Sequence, residues 1–420
     1  MDYFVIDGPT PLMGDVRIAG AKNATLPLMA AALLACGETR LANAPDLRDT
    51  RFFLDLLREL GVAGELANGE LRLDTTVPLT SHTAPYDIVR KMRASIYVLG
   101  PLLAAYGAAR VSKPGGCAWG PRPVDLHTAG MAALGAEVAE EHGYIVSRAP
   151  RGLRGGRFRF EPVSVGATCN VMMAAVLARG ETLLENCACE PEVVQLGEAL
   201  VAAGARVEGL GTRTLHIEGV SSLAPLRCTV IPDRIEAGTF LAAVAVAGGR
   251  IRLSGCRLDH LQPVLGVLRD LGCTVAGEGD LVVAERSGPL QPVRVITEPF
   301  PGFPTDMQAQ IMAAAALAGG VSRITDTIYP DRFTHAAELQ RLGAQIDVHD
   351  GTAIVTGVAA LQGAPVMATD LRASAALVLA AVAAHGRSEV RRVYHIDRGY
   401  ERIEQRLAAL GARIRRERSE

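Results

Sequence analysis

A sixfold internal repeat constrains this chain more than any other feature, because a repeat fixes the building block before any single element is assigned. Six segments end an amphipathic stretch with a small or apolar residue and a glycine, then begin an alternating run. Their glycines are Gly61, Gly135, Gly204, Gly272, Gly343 and Gly411, spaced 74, 69, 68, 71 and 68 residues apart. A second series, Gly37, Gly107, Gly180, Gly248, Gly319 and Gly386, follows Ala-rich apolar stretches at spacings of 70, 73, 68, 71 and 67. Glycine just past an apolar helix predicts a left-handed stop. The runs behind these glycines, such as Thr182–Glu185 and Arg250–Ser254, predict strands. Thr239–Ala247 and Ala373–Ala384 have almost no polar face and predict buried helices. Asp331–Leu342 and Arg398–Leu410 place apolar residues three and four apart between charges, and predict surface helices. The fold class is therefore α/β, built from six repeated units. Two pseudo-threefold domains of three units are one way to close them; composition does not dictate that grouping, although a single domain of 420 residues would be unusually large.

The residues just before each buried helix carry the chemistry. They are Lys22-Asn23, Arg93-Ala-Ser, Ser164-Val165, Asp233-Arg234, Thr305-Asp306 and Asp370-Leu-Arg372. Helix N-termini favour anions through free amides and the dipole. Ser164, Thr305 and Asp370 read first as N-caps. Capping does not account for Lys22, Arg93 and Arg372, which oppose the dipole. A bound anion between such cations would, and a large anionic substrate held between facing domains is the expectation. A parallel set, Arg122-Pro-Val-Asp125, Asp331-Arg332 and Asp397-Arg398, precedes the amphipathic helices; alone it reads as solvated ion pairs of little weight.

Composition narrows the partners. Forty-three basic residues against 45 acidic ones, with 4% aromatics, give neither the field nor the stacking platforms that nucleic acid needs. The longest uncharged runs are interrupted by Gly and Pro or are too short for a bilayer, so no membrane association is expected. The N-terminal Met-Asp-Tyr-Phe lacks a basic start, and eight cysteines without a secretion signal read as reduced cytoplasmic thiols. Cys117 stands apart, in a loop rich in Gly and Pro near Lys113 and Arg122, where cations favour the thiolate. Cys36 and Cys273 are examples of the others, which mostly sit in apolar or strand-like context. Cys187-Ala-Cys189 has no second ligand pair, and no phosphate-binding Gly-Lys-Ser/Thr loop occurs, so neither metal nor cofactor is expected.

Taken together, Gly-Ala-Lys22-Asn23, Met92-Arg93-Ala-Ser, Pro114-Gly-Gly-Cys117, Arg122-Pro-Val-Asp125-Leu-His127, Ser164-Val-Gly-Ala-Thr168, Pro232-Asp-Arg-Ile-Glu236, Pro304-Thr-Asp306-Met-Gln, Asp370-Leu-Arg372 and Asp397-Arg398-Gly-Tyr-Glu resemble the UDP-N-acetylglucosamine 1-carboxyvinyltransferase family. The resemblance spans the whole chain. It implies two inverse α/β barrels, one formed by residues 1–21 with 230–420 and the other by 22–229, with a hinge near Lys22 and Pro232. It implies transfer of the enolpyruvyl group of phosphoenolpyruvate to the 3′-hydroxyl of UDP-N-acetylglucosamine, and a place in peptidoglycan precursor synthesis. It also implies alkylation of Cys117 by fosfomycin.

Carried over by matching motifs, Asp306 is the base toward the sugar hydroxyl and Cys117 the acid toward the methylene carbon. Lys22, Arg122 and Arg398 hold phosphoenolpyruvate, with Asp370 and Arg372 in support. Asn23, Arg93, Arg122, Pro123, Val124, Asp125, Leu126, Val163, Ser164, Val165, Asp306 and Ile328 bind the sugar nucleotide. Two positions depart from the family pattern: Pro162 stands where many members have lysine, and Trp119 where a smaller residue is common. Three rivals remain open: 3-phosphoshikimate 1-carboxyvinyltransferase, against which the Cys117 loop and the Arg122–Asp125 segment argue, a paralogue acting on another sugar nucleotide, and a catalytically silent UDP-sugar sensor.

Overall fold

The computed structural model describes residues 2–90, 92–113 and 124–418. The described chain forms six four-stranded sheets, and all six share one pairing pattern. In the sheet Arg294–Thr297, Val321–Asp326, Thr352–Thr356, Gln345–His349, the first pair is parallel and the other two pairs antiparallel. The same parallel–antiparallel–antiparallel order recurs in the other five. Where both parallel strands belong to one repeat, as Arg294–Thr297 and Val321–Asp326 do, a buried helix joins them, because parallel pairing needs a long crossover. A second helix then returns the chain to a hairpin whose last strand inserts beside the crossover strand.

Two compact units result: Met1–Ala19 with Pro232–Glu420, and Gly20–Ile231. Each holds three of the sheets. In the first, Asp2–Gly8 lies between Gly386–Arg391 and Ile414–Arg418, pairing Ile6 with both Ser388 and Ile414. Leu12–Arg17 pairs in parallel with Gly249–Ser254 and so serves as the edge strand of another repeat. In the second, Arg227–Thr229 plays the same part beside Glu38–Ala42. These exchanges explain why the repeats in space are offset from the repeats along the chain.

The helices Arg234–Ala247, Gln308–Ala315 and Leu371–Ala383 form the centre of the first unit and are buried along almost their whole length. Their alanines allow close approach of the backbones. At Gly100 in the second unit, an added Cβ would come within 2.3 Å of the Asn170 carbonyl oxygen, so only glycine permits that contact.

The small-Gly glycines behave as the periodicity predicts: all six have positive φ, from 84° to 106°. The second series does not act uniformly as helix stops. Gly107 is a left-handed cap on Leu99–Tyr106, but the helix Val165–Ala175 ends well before Gly180 and Gln308–Ala315 before Gly319. The positive φ near Gly319 falls on Gly320 instead. In these units a short turn follows the helix, and the glycine serves the strand that begins next. The surface helices also start later than expected. Asp331 and Arg332 precede the helix Thr334–Arg341, while Arg398 ends a short 3₁₀ helix, Val393–Arg398, ahead of the helix Ile403–Ala409. No described helix is long and apolar enough to cross a membrane.

Candidate active site

Asp306 is held by two buried guanidiniums in the first unit. It lies in a short 3₁₀ turn, Thr305–Met307, that leads into the helix Gln308–Ala315. Its carboxylate is held on both oxygens. Arg332 Nη1 donates to Oδ1 at 2.7 Å, and Arg372 donates to Oδ2 from Nη2 at 2.8 Å and Nε at 3.0 Å. Arg332 is 7% exposed and Arg372 3%, so both contacts are shielded from water, while the Asp306 side chain keeps 26%. Charge-assisted bonds of this kind are about twice as strong as neutral ones and fix orientation as well. Burial alone would lower the Arg372 pKa; the nearby Asp306 carboxylate more than reverses this, so the guanidinium stays charged.

These contacts change the reading of the helix starts. Ser164 does cap its helix, accepting from Ala167 N, and Asp370 and Asp233 cap theirs through two amides each. Thr305 is no cap. Its hydroxyl donates to Asp326 Oδ2 at 2.6 Å and accepts from Arg332 Nη1 at 3.1 Å. The cation Arg372 needs no bound anion to explain it, since the Asp306 carboxylate already faces it. Lys22 likewise meets Asp49 Oδ2 at 3.4 Å, with Asp49 only 2% exposed. The excess of cations that the sequence suggested is thus partly answered inside the protein.

Asp326, 1% exposed at the end of Val321–Asp326, organises the turn that follows. Its Oδ1 accepts from Ile328 N at 3.0 Å, Tyr329 N at 2.8 Å and the Thr297 hydroxyl at 2.8 Å. The same carboxylate therefore places both the Ile328 backbone and Thr305, the neighbour of Asp306. Arg398 is half-buried at the end of its 3₁₀ helix. Its neighbour Asp397 is gripped by Arg416 with two bonds, at 2.6 and 3.0 Å, which ties the segment to the last strand.

In the second unit, Lys22 opens the helix Lys22–Ala31 and Arg93 the 3₁₀ helix Arg93–Val98. Asn23, Arg93, Val124, Leu126, Val163, Ser164 and Val165 are half-buried, and Asp125 is exposed at the first turn of Asp125–Ala133. Asn170 connects three of these segments: it donates to Ile96 O at 2.9 Å, accepts from Gly100 N at 2.7 Å, and lies 2.9 Å from His127 Nδ1. Since the Asn170 amide nitrogen is the donor, His127 Nδ1 accepts and its proton sits on Nε2. Burial pushes the His127 pKa down to about 4, so the ring is neutral at pH 7. Cys117, Arg122 and Pro123, together with Trp119, lie outside the described residues.

Asp49 and Asp326 stand outside the motifs, Tyr400 stands inside one without a role, and Arg332 reads from the sequence only as part of a surface pair. Their immediate neighbours are themselves polar or charged, as in Arg48-Asp49-Thr50-Arg51 and Arg398-Gly-Tyr400-Glu401, so nothing local sets them apart. Cys36, expected to be sheltered, is exposed.

The chain matches the family described as EPSP synthase (3-phosphoshikimate 1-carboxyvinyltransferase) over residues 6–407. It is similar to the UDP-N-acetylglucosamine 1-carboxyvinyltransferase of Anaeromyxobacter sp. (strain Fw109-5), 56% identical with both chains covered in full. It is 52% identical to the enzyme of that name from Desulfovibrio desulfuricans, over 99% of this chain and 100% of that one. Among solved structures, the enolpyruvyl transferase NikO of Streptomyces tendae superposes with a TM-score of 0.90 at 28% identity, over 99% of this chain and 98% of that one. An EPSP synthase of Acinetobacter baumannii shares the fold at a TM-score of 0.76 and 17% identity, over 99% of this chain and 100% of that one.

Proposed function

We infer the reaction from the premise that this chain belongs to the EPSP synthase family of enolpyruvyl transferases. It is a transferase that moves the enolpyruvyl group of phosphoenolpyruvate to the 3′-hydroxyl of UDP-N-acetylglucosamine, releasing phosphate, in peptidoglycan precursor synthesis. The single structural observation that carries a site assignment is the Asp306 carboxylate, fixed on both oxygens by Arg332 and Arg372.

Addition comes first. Asp306 takes the proton of the sugar hydroxyl as its oxygen attacks the enol carbon, and Cys117 delivers a proton to the methylene carbon. Elimination then expels phosphate with the electron pair of its C–O bond, while a methyl proton returns to the Cys117 thiolate, which restores both the vinyl ether and the thiol. A base held rigid by two guanidiniums needs no reorientation during this step, and that is where preorganisation lowers a barrier. Lys22, Arg122 and Arg398 are proposed to hold the phosphate and carboxylate of phosphoenolpyruvate, with Arg372 and Asp370 acting from behind. Asn23, Arg93, Arg122 to Leu126, Val163 to Val165 and Ile328 are proposed for the sugar nucleotide. Seven described cysteines are unpaired, which supports a reducing, cytoplasmic setting.

Shikimate 3-phosphate is the competing acceptor, because the family description itself names it. Identity favours the sugar nucleotide: 56% with the carboxyvinyltransferase of that name against 17% with the solved EPSP synthase. Phosphate release from phosphoenolpyruvate decides between them. Turnover is expected with UDP-N-acetylglucosamine and none above background with shikimate 3-phosphate; the reverse result overturns the reading.

Thiol chemistry supplies an independent check. Burial pushes Cys187 and Cys256 up to about 12 and Cys228 and Cys273 up to about 11, which leaves those thiols unreactive. Fosfomycin should therefore alkylate Cys117 and spare them. An adduct mapped to another cysteine removes Cys117 from the acid role.

A further inference from the structure

Tyr400 is 1% exposed and stands where the three central helices of the first unit meet. Its phenol oxygen lies 3.1 Å from Arg372 Nη1, 2.8 Å from Thr239 Oγ1 and 3.4 Å from Gln310 Nε2. The direction of each bond follows from the donors present. A guanidinium only donates, so the Tyr400 oxygen accepts from Arg372. Thr239 spends its one proton on Ile235 O at 2.7 Å, so its oxygen accepts from the Tyr400 hydroxyl. Gln310 Nε2 donates to the same threonine oxygen at 3.0 Å. The result is a one-way series: Arg372 N–H to Tyr400 O–H to Thr239 O–H to the Ile235 carbonyl. Burial raises the Tyr400 pKa, which keeps the phenol protonated as this series requires.

The far end of Arg372 is the part that holds Asp306. With Nη1 taken by Tyr400, the guanidinium presents Nε and Nη2 together to Asp306 Oδ2. Its plane is fixed at both edges, and Cζ sits 5.6 Å from the Tyr400 ring centroid. Tyr400 also follows Arg398 by two residues, so one anchored phenol pins the segment that carries a second proposed site residue. A core tyrosine needing only a satisfied hydroxyl would not have to take its donor from the arginine that grips Asp306.

We propose that Tyr400 is a positioning residue for the enolpyruvyl transfer, acting through Arg372 to aim the Asp306 carboxylate, with Thr239 as its necessary acceptor. The proposal deepens the reading of the site above and rests on Asp306 being the base. Such networks act as a unit, so removing one hydroxyl releases the guanidinium rather than weakening a single contact.

Tyr400→Phe keeps the ring and its packing while deleting the hydroxyl. Phosphate release from phosphoenolpyruvate with UDP-N-acetylglucosamine should lose about ten- to a hundredfold in kcat, the scale expected when a reacting group is misplaced by about an ångström. KM for both substrates should stay within about threefold of the wild-type value, as expected for an interaction that counts in the transition state. Thr239→Val should show the same split, and Thr239→Ser should recover most of the loss, which covers the case of a Tyr400→Phe protein that does not fold. Thermal unfolding of each variant is measured alongside. A Tyr400→Phe or Thr239→Val enzyme at wild-type kcat, or a loss in which kcat and KM move together with stability, overturns the positioning role alone. Wild-type turnover in Asp306→Asn overturns the base assignment and takes the Tyr400 proposal down with it.

Discussion

Two helix starts at equivalent points of the repeat meet the same electrostatic problem and solve it differently. Each brings a cation to the positive end of a helix, which costs free energy unless a carboxylate answers it. In the first unit Arg372 meets Asp306 through two nitrogens at 2.8 and 3.0 Å, and Arg332 grips the other oxygen. In the second, Lys22 faces Asp49 at 3.4 Å. A guanidinium fork holds a carboxylate in one plane, whereas an ammonium is a point charge on a flexible stem. The difference suits the two proposed tasks. A base must be aimed, and a cation that receives a phosphate must be able to move toward it.

The comparison breaks most decisively at Asp306. Asp306→Asn should lower kcat for phosphate release by about 10²–10⁴-fold, the range for a general base. Substrate affinity should change far less, and a variant turning over at the wild-type rate would remove the aimed carboxylate from the chemistry.

Arg398→Lys comes next. A point charge cannot reproduce a bidentate grip, so kcat/KM at limiting phosphoenolpyruvate should fall by the equivalent of about 1.5–3 kcal/mol, as for hydrogen bonds to charged groups. Arg415→Lys is the control: that arginine pairs with Asp7 and Glu417 at an exposed site and should change little. Equal kinetics in the two variants would place Arg398 outside the site.

On the other side of the comparison, Asp49→Asn removes the carboxylate that faces Lys22. KM for phosphoenolpyruvate should rise about three- to tenfold, on the scale of one hydrogen bond, with kcat nearly unchanged. A kcat loss as large as that of Asp306→Asn would show that both helix starts are aimed with equal stringency.

The smallest expected effect is on stability. Burial pushes His335 down to about 4, helped by Arg332 and opposed by Asp370, and pushes His127 down to about 4. Both lie below the unfolded value of about 6.5. The unfolded chain therefore binds more protons between those values, and stability falls as pH drops from about 6.5 toward 4. Between pH 7 and 5, where most carboxylates remain ionised, Tm should decrease by a few degrees. His127→Gln should flatten that slope, and a Tm independent of pH across the window would show that these rings are not the buried neutral groups described.

The repeat itself was legible in the sequence, because helix and strand periods and positive-φ glycines are local properties. So were the buried helices and the motif residues Lys22, Asp306, Asp370 and Arg372, which stand at recurring positions. Local pattern also set the α/β class, since an apolar helix between two short strands has to cross over a sheet.

Partnership was decided only by the tertiary structure. Arg372 and Asp306 are 66 residues apart, Lys22 and Asp49 are 27 apart, and Thr239 and Tyr400 are separated by 161. Asp2–Gly8 pairs with strands nearly 400 residues away, as Asp7 does with Arg387. A side chain's charge is written in its residue type, but its role depends on which charges burial brings within about 3 Å, the reach of a hydrogen bond. Thr305 as a link to Asp326, Arg332 as a grip on Asp306 and Tyr400 as an anchor for Arg372 exist only after three helices close on one another and exclude water.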